Sequence, residues 1–179
     1  MPPKHVPRHV VEQPLDQSIR LIPLTQGKTA IVDAEDYEAL SAHHWIASGR
    51  EGKSFYAVRY EWKNNKRIAS YKMHSVIQLV PERWVVDHIN GNTLDNRRSN
   101  LRAVTYSQNS INRRLQSNNT SGHKGVSRNA ITGKWTVLIQ VEEEYKLLGS
   151  YASFDLACKI YDAVAAVLHG EYRRTAPRK

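Results

Sequence analysis

The sequence predicts an α+β protein built from two small parts. Three observations point there. Short stretches such as SFYAVRYEW and KWTVLIQV alternate apolar and polar residues in the manner of half-buried strands. SFDLACKIYDAVAAVLHG carries apolar residues at helical spacing instead. Between the halves lies QSNNTSGHKG, a Ser, Asn and Gly mixture that suits a connection better than a core element.

Each element can be justified in order. Residues 1–17 read as a loose arm, with Pro and charge but no periodicity. IRLIPL and TAIVD read as short strands parted by a turn at Gln26-Gly27. AEDYEALSAHHW reads as a short helix capped by Asp33, with Tyr37 and Leu40 inward. SFYAVRYEW and RIASYKM are strands around a KNNK turn. HSVIQLV suits one or two helical turns, WVVDH a strand, residues 89–100 a long polar loop, and LRAVT the returning strand. TYSQNSINRRLQS begins sharply, because Thr105 and Gln108 form a T-x-x-Q capping box. Residues 18–115 then make a first domain and residues 116–122 a linker. In residues 123–179, KGVSRN, KWTVLIQVEE and YKLLGSYAS read as three strands, with turns at ITG and around residue 143. One helix follows, opened by Ser153 and closed by Gly170. A three-stranded antiparallel sheet packed on one helix is a complete small domain.

Composition narrows the class. The 179 residues are 40% hydrophobic, enough for real cores, and carry a net charge of +9. That balance favours a polyanionic partner, nucleic acid or an anionic membrane. A membrane is the weaker choice, since no apolar run spans a bilayer and no terminus offers a basic amphipathic helix. The proline-bearing start MPPKHVPRHVVEQP has no apolar signal core, so an intracellular setting is expected. A single cysteine, Cys158, excludes a disulfide framework and a CxxC zinc site, and reads as a core residue of its helix.

The chemistry concentrates in VVDHINGNTLDNRRSNLRAVTYSQN, residues 85–109. A strand ending in Asp87-His88, a strand returning through LRAVT and a capped helix carrying Asn109 would let these three converge. A carboxylate and an amide carbonyl are hard oxygen ligands, suited to Mg²⁺ or a similar ion that keeps several waters. A neutral imidazole beside them is a general base near neutral pH. Base and metal together supply what phosphodiester hydrolysis needs. Asn100 can brace the long loop through its backbone. The alternative is ordinary turn material, for which Asn-Gly and Asp-Asn are common.

DHINGNTLDNRRSNLRAVTYSQNSINR resembles the HNH endonuclease motif of phage and intron homing enzymes, which implies a ββα-metal nuclease domain. On that resemblance His88 is the base, Asp87 and Asn109 are metal ligands, and Asn100 is the middle residue that orients the loop. Asn at the last motif position fits Mg²⁺ or Mn²⁺ rather than zinc, and the paired CxxC of a structural zinc is absent. The upstream IPLTQGKTAIVDAEDYEALSAHHW, YAVR and KMHSVI are also similar to such proteins, in which the MH element packs beside the active hairpin. His43 and His44 read as packing or surface residues, and His74 as a core or supporting residue, with phosphate contact as the alternative. Arg97, Arg98, Arg102, Arg113 and Arg114 flank the motif. They are either a solvated basic face or phosphate contacts, and the second is expected beside a cutting site.

The last segment resembles the AP2 DNA-binding domain through KGV, GKW, LGSY and YDAVAAVLHGE. That implies a sheet lying in the major groove. Alternation puts Trp135, Val137 and Ile139 inward, and Thr136, Leu138 and Gln140 outward. The outward set would face DNA together with Lys124, Arg128, Lys134 and Lys146. Gln140 and Leu147 stand where that family often has Arg and Trp, while the basic tail GEYRRTAPRK adds charge. The resulting expectation is an endonuclease acting on double-stranded DNA as a monomer or weak dimer. The competing class is a DNA-binding regulator with a decayed HNH domain, and a restriction or recombination nuclease is a third.

Overall fold

The structure is a computed structural model and describes residues 9–52, 54–112, 115, 118–142 and 144–172. It packs as two compact units, Met1–Val104 and Thr105–Lys179. The boundary falls ahead of the connection expected at residues 116–122, so the capped helix packs with the second unit. Four α-helices and several small sheets among the described residues make the chain a mixed α+β protein.

The first unit opens with an antiparallel pair, β1 (Ile19–Pro23) and β2 (Thr29–Asp33), in the register Leu21 opposite Ile31. Helix α1 spans Ala34–Ser41. Asp33 precedes it but makes no side-chain capping bond, which corrects the expected cap. Its carboxylate instead accepts the Arg98 backbone N–H at 2.7 Å. Next come β3 (Ile46–Ser48), β4 (Tyr56–Lys63) and β5 (Lys66–Lys72), an antiparallel sheet in the order β3-β4-β5. Only β4 and β5 are evident from the sequence. Three residues are too few for β3 to show a period.

A short helix α2 (Met73–Ile77) leads to β6 (Trp84–His88), which pairs with β7 (Leu101–Thr105). The core gathers Ile22, Leu24, Val32, Leu40, Trp45 and Met73. Trp45 is fully buried, and its indole N–H donates to the Leu40 carbonyl at 2.8 Å, so no polar atom of the ring is left wanting.

The second unit begins with α3 (Tyr106–Asn112), where Thr105 and Gln108 bond reciprocally as a capping box. Strands β8 (Val126–Arg128), β9 (Trp135–Val141) and β10 (Glu144–Tyr151) form an antiparallel sheet in the order β10-β9-β8. Helix α4 (Phe154–His169) backs it, with the Ser153 hydroxyl accepting the Leu156 N–H. Val137 and Ile139 face α4 and pack with Ala157, Cys158 and Tyr161. Cys158 is a buried free thiol in that core. Gly125 is required there: its φ is +69°, and a Cβ would stand 2.0 Å from the Tyr161 ring.

Candidate active site

Strand β6 delivers Asp87 and His88 at its end, and both are buried, at 7% and 4% exposure. The loop beyond it has its backbone polar groups satisfied from several sides. Ile31 N–H donates to the Leu94 carbonyl at 2.9 Å, and Asn96 N–H donates to the Ile31 carbonyl at 2.7 Å. The Thr93 hydroxyl donates to the Phe55 carbonyl. Asn100 ties the loop across its own width. Its Oδ1 accepts from Asn90 N–H at 3.0 Å, and its Nδ2 donates to the Asp95 carbonyl at 2.8 Å. A one-turn 3₁₀ helix at Arg98–Asn100 closes the loop onto β7.

Asp95 is buried inside the same loop, and Arg97 grips both its oxygens, at 2.8 and 2.6 Å. Burial alone would push this carboxyl up, but the Arg97 guanidinium outweighs it and holds the carboxyl below its ordinary range.

His88 Nε2 lies 3.3 Å from Oδ1 of Asn96, a side chain with no exposed surface. The other end of that amide fixes its orientation: Nδ2 donates to the Leu94 carbonyl at 3.2 Å. Oδ1, an acceptor only, therefore faces the imidazole, so the neutral ring carries its proton on Nε2 and its lone pair on Nδ1. Burial lowers the His88 pKa, against upward pulls from Asn96, Asp87 and Asp95. His74, first turn of α2, packs edge-on to His88 with ring centroids 4.9 Å apart, and Tyr56 meets both rings. Burial, then His88 and Lys72, push His74 down to about 3. Both histidines are thus neutral near pH 7, the state a proton acceptor needs.

Asp87 Oδ2 accepts from Arg102 Nε at 3.0 Å and Nη2 at 2.9 Å. Two charges this well buried hold each other in place. A carboxylate beside a neutral imidazole is the donor type a hard divalent ion takes, so Asp87 fits such an ion, with the guanidinium as its competitor. No group of three or more His, Cys, Asp or Glu that could hold a metal occurs among the described residues. An ion here would keep much of its water.

The described flanking arginines each have a carboxylate partner. Arg97 pairs with Asp95, Arg102 with Asp87, and the half-exposed Arg98 with Asp36 and Glu35. Each has a carboxylate partner in its own unit, which a sequence cannot reveal for positions more than sixty residues apart, such as Arg98 and Asp36. Arg113 and Arg114 lie outside the described residues, as does the basic tail from residue 173. Asn109 lies on α3, in the second unit.

In that unit Lys124 Nζ donates to the Ser110 and Ile111 carbonyls, at 3.2 and 2.6 Å. Gln140 Oε1 accepts from the Ser110 hydroxyl at 2.9 Å. These two residues thus anchor α3 to the sheet. Arg128, Lys134, Leu138 and Lys146 are exposed, and the Thr136 hydroxyl meets that of Ser150. Asn96 is a candidate site residue that the sequence does not single out. Nothing distinguishes it from the other asparagines of its loop except its burial in the fold.

The family model described as HNH endonuclease matches residues 79–111, which hold the hairpin and loop just described. A protein of Acanthamoeba polyphaga mimivirus, described as an uncharacterized HNH endonuclease, is 30% identical over 160 residues, 86% of this chain and 76% of that protein. Protein 3.8 of Escherichia phage T7 is 30% identical over 95 residues, 53% of this chain and 78% of its own length. No solved structure matches. With the motif match on the hairpin and this identity across most of both chains, the chain belongs to the HNH endonuclease family and is by class a DNA-cleaving hydrolase.

Proposed function

We propose that the protein is a divalent-metal-dependent, homing-type endonuclease that hydrolyses double-stranded DNA to 5′-phosphate and 3′-hydroxyl ends. The observation that carries this reading is the neutral, buried His88, oriented by Asn96 beside Asp87 on a braced hairpin. In the proposed step the Nδ1 lone pair of His88 accepts a proton from the attacking water. Asp87 would hold a Mg²⁺ or Mn²⁺ ion, and motif spacing adds Asn109 as a second oxygen donor. When bound, such an ion supplies charge neutralisation at the scissile phosphate and the leaving 3′ oxygen. Asn100 keeps the loop, and hence His88, in register.

The three-stranded sheet and α4 are proposed as an AP2-like DNA-binding module that concentrates the cutter near its target. Arg128, Lys134, Thr136, Leu138 and Lys146 are its proposed DNA face. Arg113 and Arg114 are kept as proposed phosphate contacts. One site per chain favours nicking by a monomer, and a weak dimer would serve a double-strand break. No helix among the described residues is long and apolar enough to cross a membrane. An intracellular setting remains part of the proposal.

The test is product chemistry. DNA cut in Mg²⁺ should be resealed by DNA ligase without prior kinase treatment, and EDTA should abolish cutting. Ends that need a kinase before ligation would exclude the proposed cleavage step. Metal-insensitive, salt-sensitive DNA binding without cutting, with the native target included, would support the regulator reading instead.

A further inference from the structure

The hairpin of β4 and β5 carries a second feature that the catalytic motif does not use. Ala57 belongs to the core, so its face of β4 points inward. Tyr56, Val58, Tyr60 and Trp62 alternate onto the opposite face, where Val58 is buried and the three aromatic rings are partly exposed. On β5, Lys72 lies opposite Val58, Ser70 opposite Tyr60, and Arg67 opposite Trp62, the bulge between Glu61 and Trp62 keeping Arg67 on this face. The hairpin's acid, Glu61, belongs to the inward register.

The face is ordered from the catalytic end outward. Tyr56 starts it, with its ring centroid 6.3 Å from that of His88. Lys72 Nζ sits 5.3 Å from the centroid of the Tyr56 ring. Arg67 lies 4.9 Å from the centroid of Tyr60. At strand rise, Trp62 is roughly 20 Å further out than Tyr56. The rings are capped by cations, so they orient charge rather than offer stacking platforms for bases. Both cations are exposed.

We infer that this outward face of the β4–β5 hairpin, through Arg67 and Lys72 held on Tyr60 and Tyr56, is a track for the DNA phosphate backbone leading to His88. The inference rests on the nuclease reading above and adds a contact surface to it. Phosphate contact by a cation has a measurable signature, because each one releases counterions and steepens the salt dependence of binding.

The experiment is a salt series of duplex binding by the full chain, read by fluorescence anisotropy in EDTA so that nothing is cut. Arg67→Gln with Lys72→Gln should reduce the slope of log affinity against log salt by about 2, close to one per residue. Lys63→Gln with Lys66→Gln makes the same charge change at two exposed lysines beside the hairpin turn, off this face, and should leave the slope near wild type. Tyr60→Leu should keep the slope and weaken binding by about two- to fivefold, the worth of one exposed cation–π contact. A wild-type slope in the Arg67/Lys72 variant overturns the track. Equal losses in both double variants overturn it too, since net charge alone would then explain them. If wild-type protein cuts DNA in a parallel Mg²⁺ reaction while the Arg67/Lys72 slope is unchanged, only the track is overturned. Wild-type protein that neither binds nor cuts sinks the nuclease reading with it.

Discussion

Asn96 Oδ1 lies 3.3 Å from His88 Nε2, while the same amide donates to the Leu94 carbonyl at 3.2 Å. One buried side chain thereby selects the tautomer of the proposed base. Asn96→Leu should lower kcat by about ten- to a hundredfold, part of what a general base contributes. The imidazole ¹⁵N spectrum of His88 should show the Nε2–H tautomer in the wild type and a mixture in Asn96→Leu. A wild-type spectrum with the proton on Nδ1 would contradict the assignment.

Arg102 and Asp87 form a buried pair that constrains the hairpin. Removing the guanidinium with Arg102→Gln should destabilise the protein by about 3 kcal/mol, the lower end for breaking a buried pair. A divalent ion that binds Asp87 competes with that guanidinium. Added Mg²⁺ should therefore raise Tm more in Arg102→Gln than in the wild type, by ligand linkage. Equal shifts in the two proteins would remove Asp87 from the ion site.

Stability should fall in acid for a stated reason. His74 has a folded pKa of about 3 against an ordinary 6.5. Between those values the unfolded chain binds a proton that the folded protein refuses, so stability rises with pH across the window and levels off above it. The limit is roughly 1.4 kcal/mol per pH unit for one group. Asp95, held below its ordinary range, adds a loss in the same direction at still lower pH. Urea midpoints should be lower at pH 5.0 than at pH 7.5, and His74→Phe should reduce the difference, leaving the share of His88, whose burial also lowers its pKa. An acid limb as steep in His74→Phe would assign the effect elsewhere.

Gly125 tests the second unit on its own. Its φ of +69° and the 2.0 Å approach to Tyr161 leave no room for a methyl group. Gly125→Ala should cost roughly 2–4 kcal/mol through strain and overpacking. Circular dichroism melting would register the loss, and an unchanged Tm would mean that the β8 end packs differently.

Much of this was legible in the sequence, and what was not legible shares one cause. Alternation exposed β4, β9 and their partners because each buries one face. Spacing exposed Asp87, His88 and Asn100 because the motif is local. Asp33 looked like a helix cap, yet its carboxylate is taken by Arg98, sixty-five residues along the chain. Arg97 and Arg102 read as a solvated basic face or phosphate contacts, and the carboxylate that folding gives each is not visible in that reading. Lys124 and Gln140 looked outward, but each bonds α3. Asn96 looked like turn material. In every case a polar side chain found a partner that only the tertiary fold supplies, and no periodicity encodes such a choice.

The most direct test of the central claim is supercoiled-plasmid nicking in Mg²⁺, wild type against His88→Ala, with DNA binding by both proteins measured in parallel. Open-circle product is expected from the wild type alone, none in EDTA, with equal DNA binding by the two. Cutting by His88→Ala at the wild-type rate would contradict that claim.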